Sequence, residues 1–362
     1  MTSSQIIIIG SGIMGACFAY AAAERGLTPL IIASDMPDNG KTATATSWAW
    51  INASSATDPA YFQLRHHSLQ RWQSWMQKLD GLEYSAKSSY CWDLSPEEIH
   101  STADQLQQWG YQCSVLNAAT LITHLPCLRD IPIAALHVPM EGAVEPVSTA
   151  NYLLRISGAK IINAHVHSLI GSDQNITGVM TDKGAFMADE VILATGNGTP
   201  RILDTIGISY PMESTNGLLV RTKPIPPMLD GLITAPKYHL RQEPDGSLLI
   251  GGTFGPYEPE KGTGQLASDA EAQMNQVTEA FHTPAPLELD SFTLGRRPIP
   301  KGGMPSIGRM TTSAGQHIDG LYLAVMHSGF SNGAGVAVNA MEELLDDTTH
   351  PLLSPFRYKM SG

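Results

Sequence analysis

Residues 5–15, QIIIIGSGIMG, decide the fold of this chain. The run of isoleucines suits a strand that is buried on both faces of a parallel sheet. Three glycines with the spacing GxGxxG follow it, and residues 16–25 continue as an alanine-rich helical stretch. In a strand, loop and helix of this kind, Gly10 allows the tight turn, Gly12 lets the backbone approach a pyrophosphate, and Gly15 lets helix and strand pack closely.

This loop predicts a bound dinucleotide. The N-terminus of the following helix presents free N–H groups and the positive end of its dipole, and both favour phosphate groups. The motif alone is a weak signal, but the strand before it and the helix after it strengthen it. We therefore expect the cofactor to contact Gly10, Gly12, Ile13, Met14 and Gly15. NAD-binding and FAD-binding domains both begin in this way, so the first fifty residues leave the cofactor open.

The residue that would bind the adenosine ribose has two candidate positions. A second strand is expected over residues 26–33, and a carboxylate at its end normally binds the ribose hydroxyls. Ala33 stands there instead, with Ser34 and Asp35 just beyond it. Asp35 binds the ribose if the strand end is shifted, and otherwise it is a solvated loop acid.

Length and composition limit the number of domains, the kind of partner and the cellular setting. The 362 residues are enough for roughly two domains. A net charge of -12 argues against a nucleic-acid surface and leaves a small molecule as the expected partner. The four cysteines lack metal-binding spacing, so we expect no metal and a reducing, cytoplasmic setting. No stretch approaches the ~20 apolar residues of a transmembrane span, and peripheral contact with an inner membrane stays open.

Residues 320–325 and the HSGFSNG segment at 327–333 form a second strand-and-glycine-loop pattern, followed by an apolar helical stretch to Leu345. The N–H groups and the dipole of that helix would favour negative charge. Three further strands are expected over residues 159–167, 176–182 and 189–196, separated by turn residues.

Seven segments, in this order, resemble the D-amino acid oxidase / glycine oxidase family of FAD-dependent oxidoreductases, which includes sarcosine oxidase and D-amino acid dehydrogenase. The resemblance covers nearly the whole chain. The segments are GSGIMG at 10–15, TATSW at 44–48, GAVEP at 142–146, LATG at 193–196, GGT at 251–253, RRPIPKGGMPSIG at 296–308 and HSGFSNG at 327–333.

The resemblance implies an α/β fold in which a discontinuous, Rossmann-like FAD-binding domain is interleaved with an antiparallel-sheet substrate domain. We expect the FAD-binding domain to comprise residues 1–80, 141–210 and 295–362. The substrate domain would then comprise residues 81–140 and 211–294.

The resemblance also implies further contacts to FAD. A strand with Val166 would pass the adenine, hydroxyls of Thr46 and Ser47 would reach the pyrophosphate or the ring, and small residues would lie beneath the cofactor. The remaining implied contacts are Ala194, Thr195, Gly196, Gly329, Phe330, Ser331, Asn332 and Gly333. Some relatives attach flavin through a C-terminal cysteine, but this chain has no cysteine after Cys127, so we expect non-covalent FAD.

The chemistry implied by the resemblance is oxidation of a small amino acid or amine at a C–N bond by hydride transfer to flavin. The carboxylate of an amino acid needs a cation, and arginine offers a bidentate fork. Arg297 occupies the position of the family's carboxylate-binding arginine, although a structural role is the alternative and Arg296 leaves open which of the pair faces the substrate. His239 stands where relatives place a substrate-contacting tyrosine, and alternation puts Tyr238 on the opposite face.

Several functional alternatives stay open. The electron acceptor is oxygen in an oxidase, or a quinone or partner subunit in a dehydrogenase of the same fold. A third possibility is a non-catalytic flavin-binding subunit of a hetero-oligomer. Glycine, sarcosine, proline-like imino acids, D-amino acids and opines all fit one arginine and an aromatic wall, for which Trp48 and Trp50 are candidates. The sequence also leaves open whether the chain forms a homo- or hetero-oligomer.

Overall fold

The isoleucine strand lies in the middle of a six-stranded sheet. In the computed structural model, which describes residues 5–251, 262–311 and 316–358, the order of this sheet is β17-β18-β11-β1-β2-β7. The strands are β1 (Ile6–Ile9), β2 (Leu30–Ala33), β7 (Lys160–Asn163), β11 (Glu190–Leu193), β17 (Ser306–Thr311) and β18 (His317–Val325). All neighbours pair in parallel except β17 and β18. β1 is buried along its whole length, as a central parallel strand requires.

Alternate side chains of β1 contribute to two different hydrophobic cores. Ile6 and Ile8 belong to a core shared with helices, and Ile7 and Ile9 to a core shared with a three-stranded sheet. The helices are α1 (Ile13–Glu24), α2 (Pro59–Lys78), α5 (Pro146–Ile156) and α8 (Gly329–Asp346). On the other face lie β8 (Val166–Gly171), β9 (Ile176–Thr181), β10 (Gly184–Met187) and α6 (Thr199–Asp204).

A nine-stranded, largely antiparallel sheet forms the other half of the fold. Its order is β16-β12-β15-β14-β13-β4-β6-β3, with β5 paired to β6, and only β13 and β4 pair in parallel. The strands are β3 (Trp50–Ile51), β4 (Ala86–Cys91), β5 (Ser114–Asn117), β6 (Ala134–Ala143), β12 (Thr215–Thr222), β13 (Leu232–Thr234), β14 (His239–Gln242), β15 (Leu248–Gly251) and β16 (Leu289–Arg297). A third core lies between this sheet and α3 (Pro96–Gln108), α4 (Ala118–His124) and α7 (Gly262–Ala280).

The expected α/β class with a Rossmann-like sheet is confirmed, whereas several expected boundaries are wrong. Residues 159–167 form two strands in two sheets rather than one strand. The chain changes sheets at Ala164 and His165, where the His165 N–H donates to the Asp182 carboxylate at 2.9 Å instead of to a strand. Helix α1 begins at Ile13, earlier than the expected residue 16.

The two large sheets divide the chain much as the resemblance implies. The six-stranded sheet takes its strands from the three segments assigned to the FAD-binding domain. The nine-stranded sheet takes most strands from the other two segments, but β3 comes from the first segment, and β6 and β16 extend past the expected boundaries to Ala143 and Arg297. The domain limits stay a prediction.

Substitution of Gly15 tests the close approach of α1 to β1. A Cβ atom at this position would overlap the carbonyl oxygen of Gly10, which is backbone and cannot yield. We expect Gly15→Ala to lower the free energy of unfolding by about 1–3 kcal/mol, as overpacking does in other cores. Urea unfolding followed by circular dichroism measures the change.

The matched control is Gly264→Ala in α7, where an added Cβ meets no atom within 4 Å. This substitution should be neutral or slightly stabilising, because alanine loses less backbone entropy in a helix than glycine does. Equal stability of the two variants would show that the contact between Gly15 and Gly10 does not constrain the fold.

Candidate active site

A single cavity of about 1030 Å³ extends from the carboxyl ends of the parallel strands to the nine-stranded sheet. Its volume lies at the upper end of the usual range for small-molecule pockets, which leaves room for a dinucleotide and a small second ligand. Most of the cofactor contacts expected from the sequence line it. They are Gly10, Gly12, Ile13, Met14, Ser34, Asp35, Thr46, Ser47, Val166, Ala194, Thr195, Gly196, Gly329 and Phe330.

The glycine loop forms the anion-binding part of this cavity. Gly10 has a φ of 105°, and a Cβ on it would lie 2.5 Å from the Ala194 carbonyl oxygen, so only glycine fits. The N-terminus of α1 faces the cavity with no acidic residue in its first turn and no side-chain cap. Thr44 accepts a hydrogen bond from the Ile13 N–H at 2.9 Å. The dipole and remaining N–H groups of this turn therefore fit a pyrophosphate.

The end of β2 supplies the wall beyond the glycine loop. Asp35 lies in this wall, and its carboxylate accepts hydrogen bonds from Asn39 at 2.9 Å and Ser34 at 3.0 Å. The Asp35 carbonyl also accepts a hydrogen bond from Ser11 at 2.6 Å, which ties the second strand to the glycine loop. Val166 lies in the same wall and is buried. The contacts of Asp35 with ribose and of Val166 with adenine stay predictions.

Four expected cofactor contacts are not part of the cavity wall among the described residues. Gly15 packs against the backbone of Gly10. Ser331 donates to the Trp50 carbonyl at 2.8 Å, and Asn332 donates to the Ser328 carbonyl at 3.1 Å. A Cβ on Gly333 would lie 2.9 Å from the sulfur of Cys17.

The reason is helical geometry. Helix α8 begins at Gly329, so its first two residues reach the cavity, and the chain then turns into the core. Ser331, Asn332 and Gly333 make contacts that hold the helix in place, and their contacts with the cofactor stay predictions.

His239 faces the cavity, whereas Tyr238 does not. The imidazole of His239 lies in the cavity wall with its ring centroid 6.0 Å from that of Trp48. Tyr238 is buried on the other side, with its ring 5.8 Å from Phe281, as strand alternation requires. Burial, followed by the positive charge of Arg297, lowers the pKa of His239 to about 4. His239 is therefore neutral near pH 7.

Arg297 ends strand β16 and reaches the cavity over Gly217. Its Nη1 donates to the Asn216 carbonyl at 2.9 Å and to Thr215 Oγ1 at 3.4 Å. A Cβ on Gly217 would overlap the Arg297 guanidinium, so the guanidinium can lie here only because Gly217 has no side chain. Arg296 also borders the cavity, but it is exposed, whereas Arg297 is half-buried. The enclosed member of the pair is thus Arg297.

The sequence analysis missed Arg65, which lies on α2 and is only 4% exposed. It lines the cavity and donates from Nη1 to Asn52 Oδ1 at 3.0 Å and from Nη2 to Ser328 Oγ at 2.7 Å. A further Nη1 bond goes to Ser55. Helical spacing could have revealed it, because Arg65 shares a face with buried residues three, four and seven positions on, Ser68, Leu69 and Trp72.

His327 precedes α8, and the charges of two arginines affect its pKa. Burial, then the charges of Arg65 and Arg297, lower its pKa to about 4. Its Nδ1 is 2.9 Å from the hydroxyl of Ser328, which adopts a left-handed backbone conformation with a φ of 58°. This end of the cavity therefore combines neutral histidines with fixed guanidinium groups.

In the described part of the chain, no group of three or more His, Cys, Asp or Glu residues is arranged to hold a metal ion. None of the described helices is both long enough and apolar enough to cross a membrane.

The two low histidine pKa values predict acid sensitivity. Unfolded histidine titrates near 6.5, and His239 and His327 titrate near 4 in the fold, so the unfolded state binds more protons between these values. The contribution of these two histidines to the free energy of unfolding should be complete above pH 6.5, and it should be lost as the pH drops toward 4. His239→Gln should reduce this acid loss, as measured by urea unfolding across that range.

His100→Gln, at an exposed position on α3, is the control and should leave the pH dependence as in wild type. If His239→Gln shows the full wild-type acid loss, burial of the neutral imidazole does not contribute to it.

The chain is similar in sequence and in structure to known proteins. A family model described as FAD dependent oxidoreductase, DAO, matches residues 5–342. A glycine oxidase of Pseudomonas aeruginosa is 22% identical over 384 residues, covering 99% of each protein. The crystal structure of L-proline dehydrogenase from P. horikoshii has a TM-score of 0.83 at 21% identity, covering 97% of this chain and 96% of the other. Iminodiacetate oxidase from Chelativorans sp. has a TM-score of 0.79 at 20% identity, covering 98% of each.

The structural likeness at these identities shows a shared fold, and the glycine loop and cavity fit the cofactor that the family uses. Because the family match spans residues 5–342, this chain is an enzyme of the DAO family of FAD dependent oxidoreductases, with FAD as its cofactor.

Proposed function

We propose that this enzyme oxidises a small amino acid or related secondary amine at its C–N bond, with FAD held non-covalently. The observation that carries the proposal is that one cavity joins the glycine loop to a pocket containing Arg297, Trp48 and the neutral imidazole of His239. The first part suits the pyrophosphate of FAD, and the second suits a carboxylate beside an amine.

Arg297 is the proposed carboxylate ligand. Its guanidinium is held over Gly217 and against the Asn216 carbonyl, so the direction of the fork is set before substrate arrives. A planar fork can bind both oxygens of a carboxylate, and preorganisation reduces the entropy lost on binding. Binding the carboxylate at Arg297 would orient the substrate Cα–H within the cavity.

FAD, held by the glycine loop of Gly10 and Gly12, would supply the two-electron acceptor for the hydride of the substrate Cα–H bond. Loss of hydride from the neutral amine gives an iminium ion, and addition of water to it yields a carbonyl compound and the protonated amine or ammonium. The protein has to orient the C–H bond and exclude water, for which the indoles of Trp48 and Trp50 provide apolar wall. His239 is neutral and can accept a hydrogen bond from the substrate amine.

The electron acceptor is proposed to be oxygen or a quinone-type carrier. One structural neighbour is named a dehydrogenase and another an oxidase, which supports keeping both kinds of acceptor in the proposal. We propose the cytoplasm as the site of action, since the four cysteines are all free thiols, as a reducing compartment favours.

The first test is a panel of candidate substrates, mixed with the holoenzyme without oxygen. Glycine, sarcosine, proline, D-amino acids and N-carboxyalkyl amino acids cover the proposed class. Loss of the visible flavin absorbance with one of these compounds would support C–N oxidation. Absence of bleaching with every member would contradict the proposed substrate class.

The binding mode of FAD gives a second prediction. The purified protein should be yellow and release intact FAD on acid or heat treatment, since the four cysteines all lie outside the cavity wall. Gly12→Val should abolish FAD binding, because a Cβ alone would lie 3.0 Å from Thr44 Oγ1 and the full side chain would enter the pyrophosphate space.

The FAD content per protein measures this effect, with circular dichroism confirming the fold and Gly264→Ala as the control. Flavin that stays attached after denaturation, or a Gly12→Val protein with full FAD content, would contradict the assignment.

Replacement of Arg297 tests the carboxylate ligand. We expect Arg297→Leu to raise KM strongly and to lower kcat/KM. The loss of transition-state stabilisation should be about 2–4 kcal/mol, and the flavin spectrum should stay unchanged. Arg297→Lys should recover part of the loss, because it restores charge but not the fork. Steady-state kinetics with the best carboxylated substrate from the panel measures both changes.

Arg296→Leu is the control, because that side chain is exposed, and it should change kcat/KM much less. Normal turnover by Arg297→Leu would place the carboxylate elsewhere. Loss of FAD and solubility in that variant would mean that Arg297 maintains the fold.

A further inference from the structure

We propose that Arg65 is a second anion-binding cation of the substrate cavity, and that the substrate therefore carries two carboxylates. The class includes dicarboxylic amino acids and N-carboxyalkyl amino acids. This inference rests on the proposed amine oxidation and names the kind of molecule on which it acts.

The first argument is the missing counter-charge. Arg65 is 4% exposed, and its hydrogen-bond partners Asn52, Ser55 and Ser328 are all neutral. No carboxylate within the described ranges forms an ion pair with it. Burying a charge without a counter-ion is costly, so an anion should complete this site.

The other buried arginine shows the contrast. Arg241 is 0% exposed and lies 2.6 Å from the Glu243 carboxylate. Its charge is thus balanced within the protein, and it does not line the cavity. Arg65 has the opposite arrangement, because it borders the cavity and lacks a carboxylate partner in the described part of the chain.

The second argument is the number of hydrogen-bond donors. A guanidinium has five N–H groups, and the bonds to Asn52, Ser55 and Ser328 use three of them. The Nε atom of Arg65 is buried and has no hydrogen-bond partner among the described residues. The three bonds therefore leave one Nη2 N–H for an anion in the cavity, and such a charge-assisted hydrogen bond is stronger than a neutral one. The three bonds already made set the orientation of the guanidinium.

The third argument is the position of Arg65 relative to Arg297. Arg65 and Arg297 line the same cavity, and His327 is part of the same wall. Two acids line the cavity among the described residues, Asp35 and Asp93, and neither forms an ion pair with Arg65. Both cations thus border the space in which a ligand with two carboxylates would bind.

The test uses the FAD-loaded enzyme and unreactive ligands that perturb the flavin absorption spectrum. Acetate and propionate supply one carboxylate, and malonate, succinate and glutarate supply two. We expect the wild type to bind its best dicarboxylate about tenfold or more tightly than either monocarboxylate, because an additional charge-assisted pair forms. Turnover of iminodiacetate should likewise exceed that of glycine.

Arg65→Met should remove the preference, with the dicarboxylate Kd rising about tenfold or more and the monocarboxylate Kd changing less than about twofold. Arg65→Lys keeps the charge without the fork and should give an intermediate value. Arg71→Met, on the same helix and outside the cavity wall, is the matched control and should behave as wild type.

Equal wild-type affinities for one and two carboxylates would overturn the inference, and this result does not depend on any variant folding. A flavin reduction potential that shifts in Arg65→Met while the dicarboxylate preference persists would overturn it too, and would assign Arg65 to the flavin. Bleaching by monocarboxylic amino acids without such a preference refutes this inference alone. Dicarboxylate binding without bleaching by any amine refutes the proposed oxidation instead.

Discussion

The contact between α1 and β1 is the constraint on which the site depends. Gly15 lies against the carbonyl of Gly10, and Gly10 lies against the carbonyl of Ala194 at the end of β11. These three backbones can approach only because two of them carry no side chain. Their approach aims the first turn of α1 along the carboxyl edge of the sheet, where the cavity opens. Anion binding at this edge follows from packing as much as from charge.

The opposite wall is held by a different kind of interaction. Residues 44–55 have little regular structure, yet a single buried carboxylate, Glu141, anchors their end. Glu141 accepts hydrogen bonds from the backbone of Ala53 and Ser54 and from the hydroxyls of Ser54, Ser89 and Tyr111. A buried carboxylate with this many donors is well satisfied, and losing it would release the segment. The same segment contributes Asn52, which helps to orient Arg65.

The parts of the site that could be predicted from the sequence are those determined by residues close together in the chain. The glycine loop is recognisable because its requirements fall within eleven residues, and the inward position of His239 follows from strand alternation. Helical spacing indicates that Arg65 lies on a buried face, but its contact with the cavity could not be predicted, because one of its hydrogen-bond partners is Ser328, which lies 263 positions away. The start of α8, which is at Gly329 rather than after Gly333, was missed for a related reason. Where this helix begins is set by the left-handed conformation of Ser328, which no sequence periodicity encodes.

The distribution of charge in the cavity is opposite to that of the whole chain. The sequence has a net charge of -12, yet the described wall of the cavity includes Arg65, Arg296 and Arg297. Low-dielectric walls concentrate the field of such groups, which is the electrostatic arrangement that the proposed carboxylate substrate requires. Burial, and after it the charge of neighbouring arginines, lowers the pKa of His239 and of His327 to about 4, so both imidazoles are neutral near pH 7. The positive charge of the cavity wall thus resides on guanidinium groups, and the hydrogen bonds of Arg65 and Arg297 fix the directions in which those groups can donate.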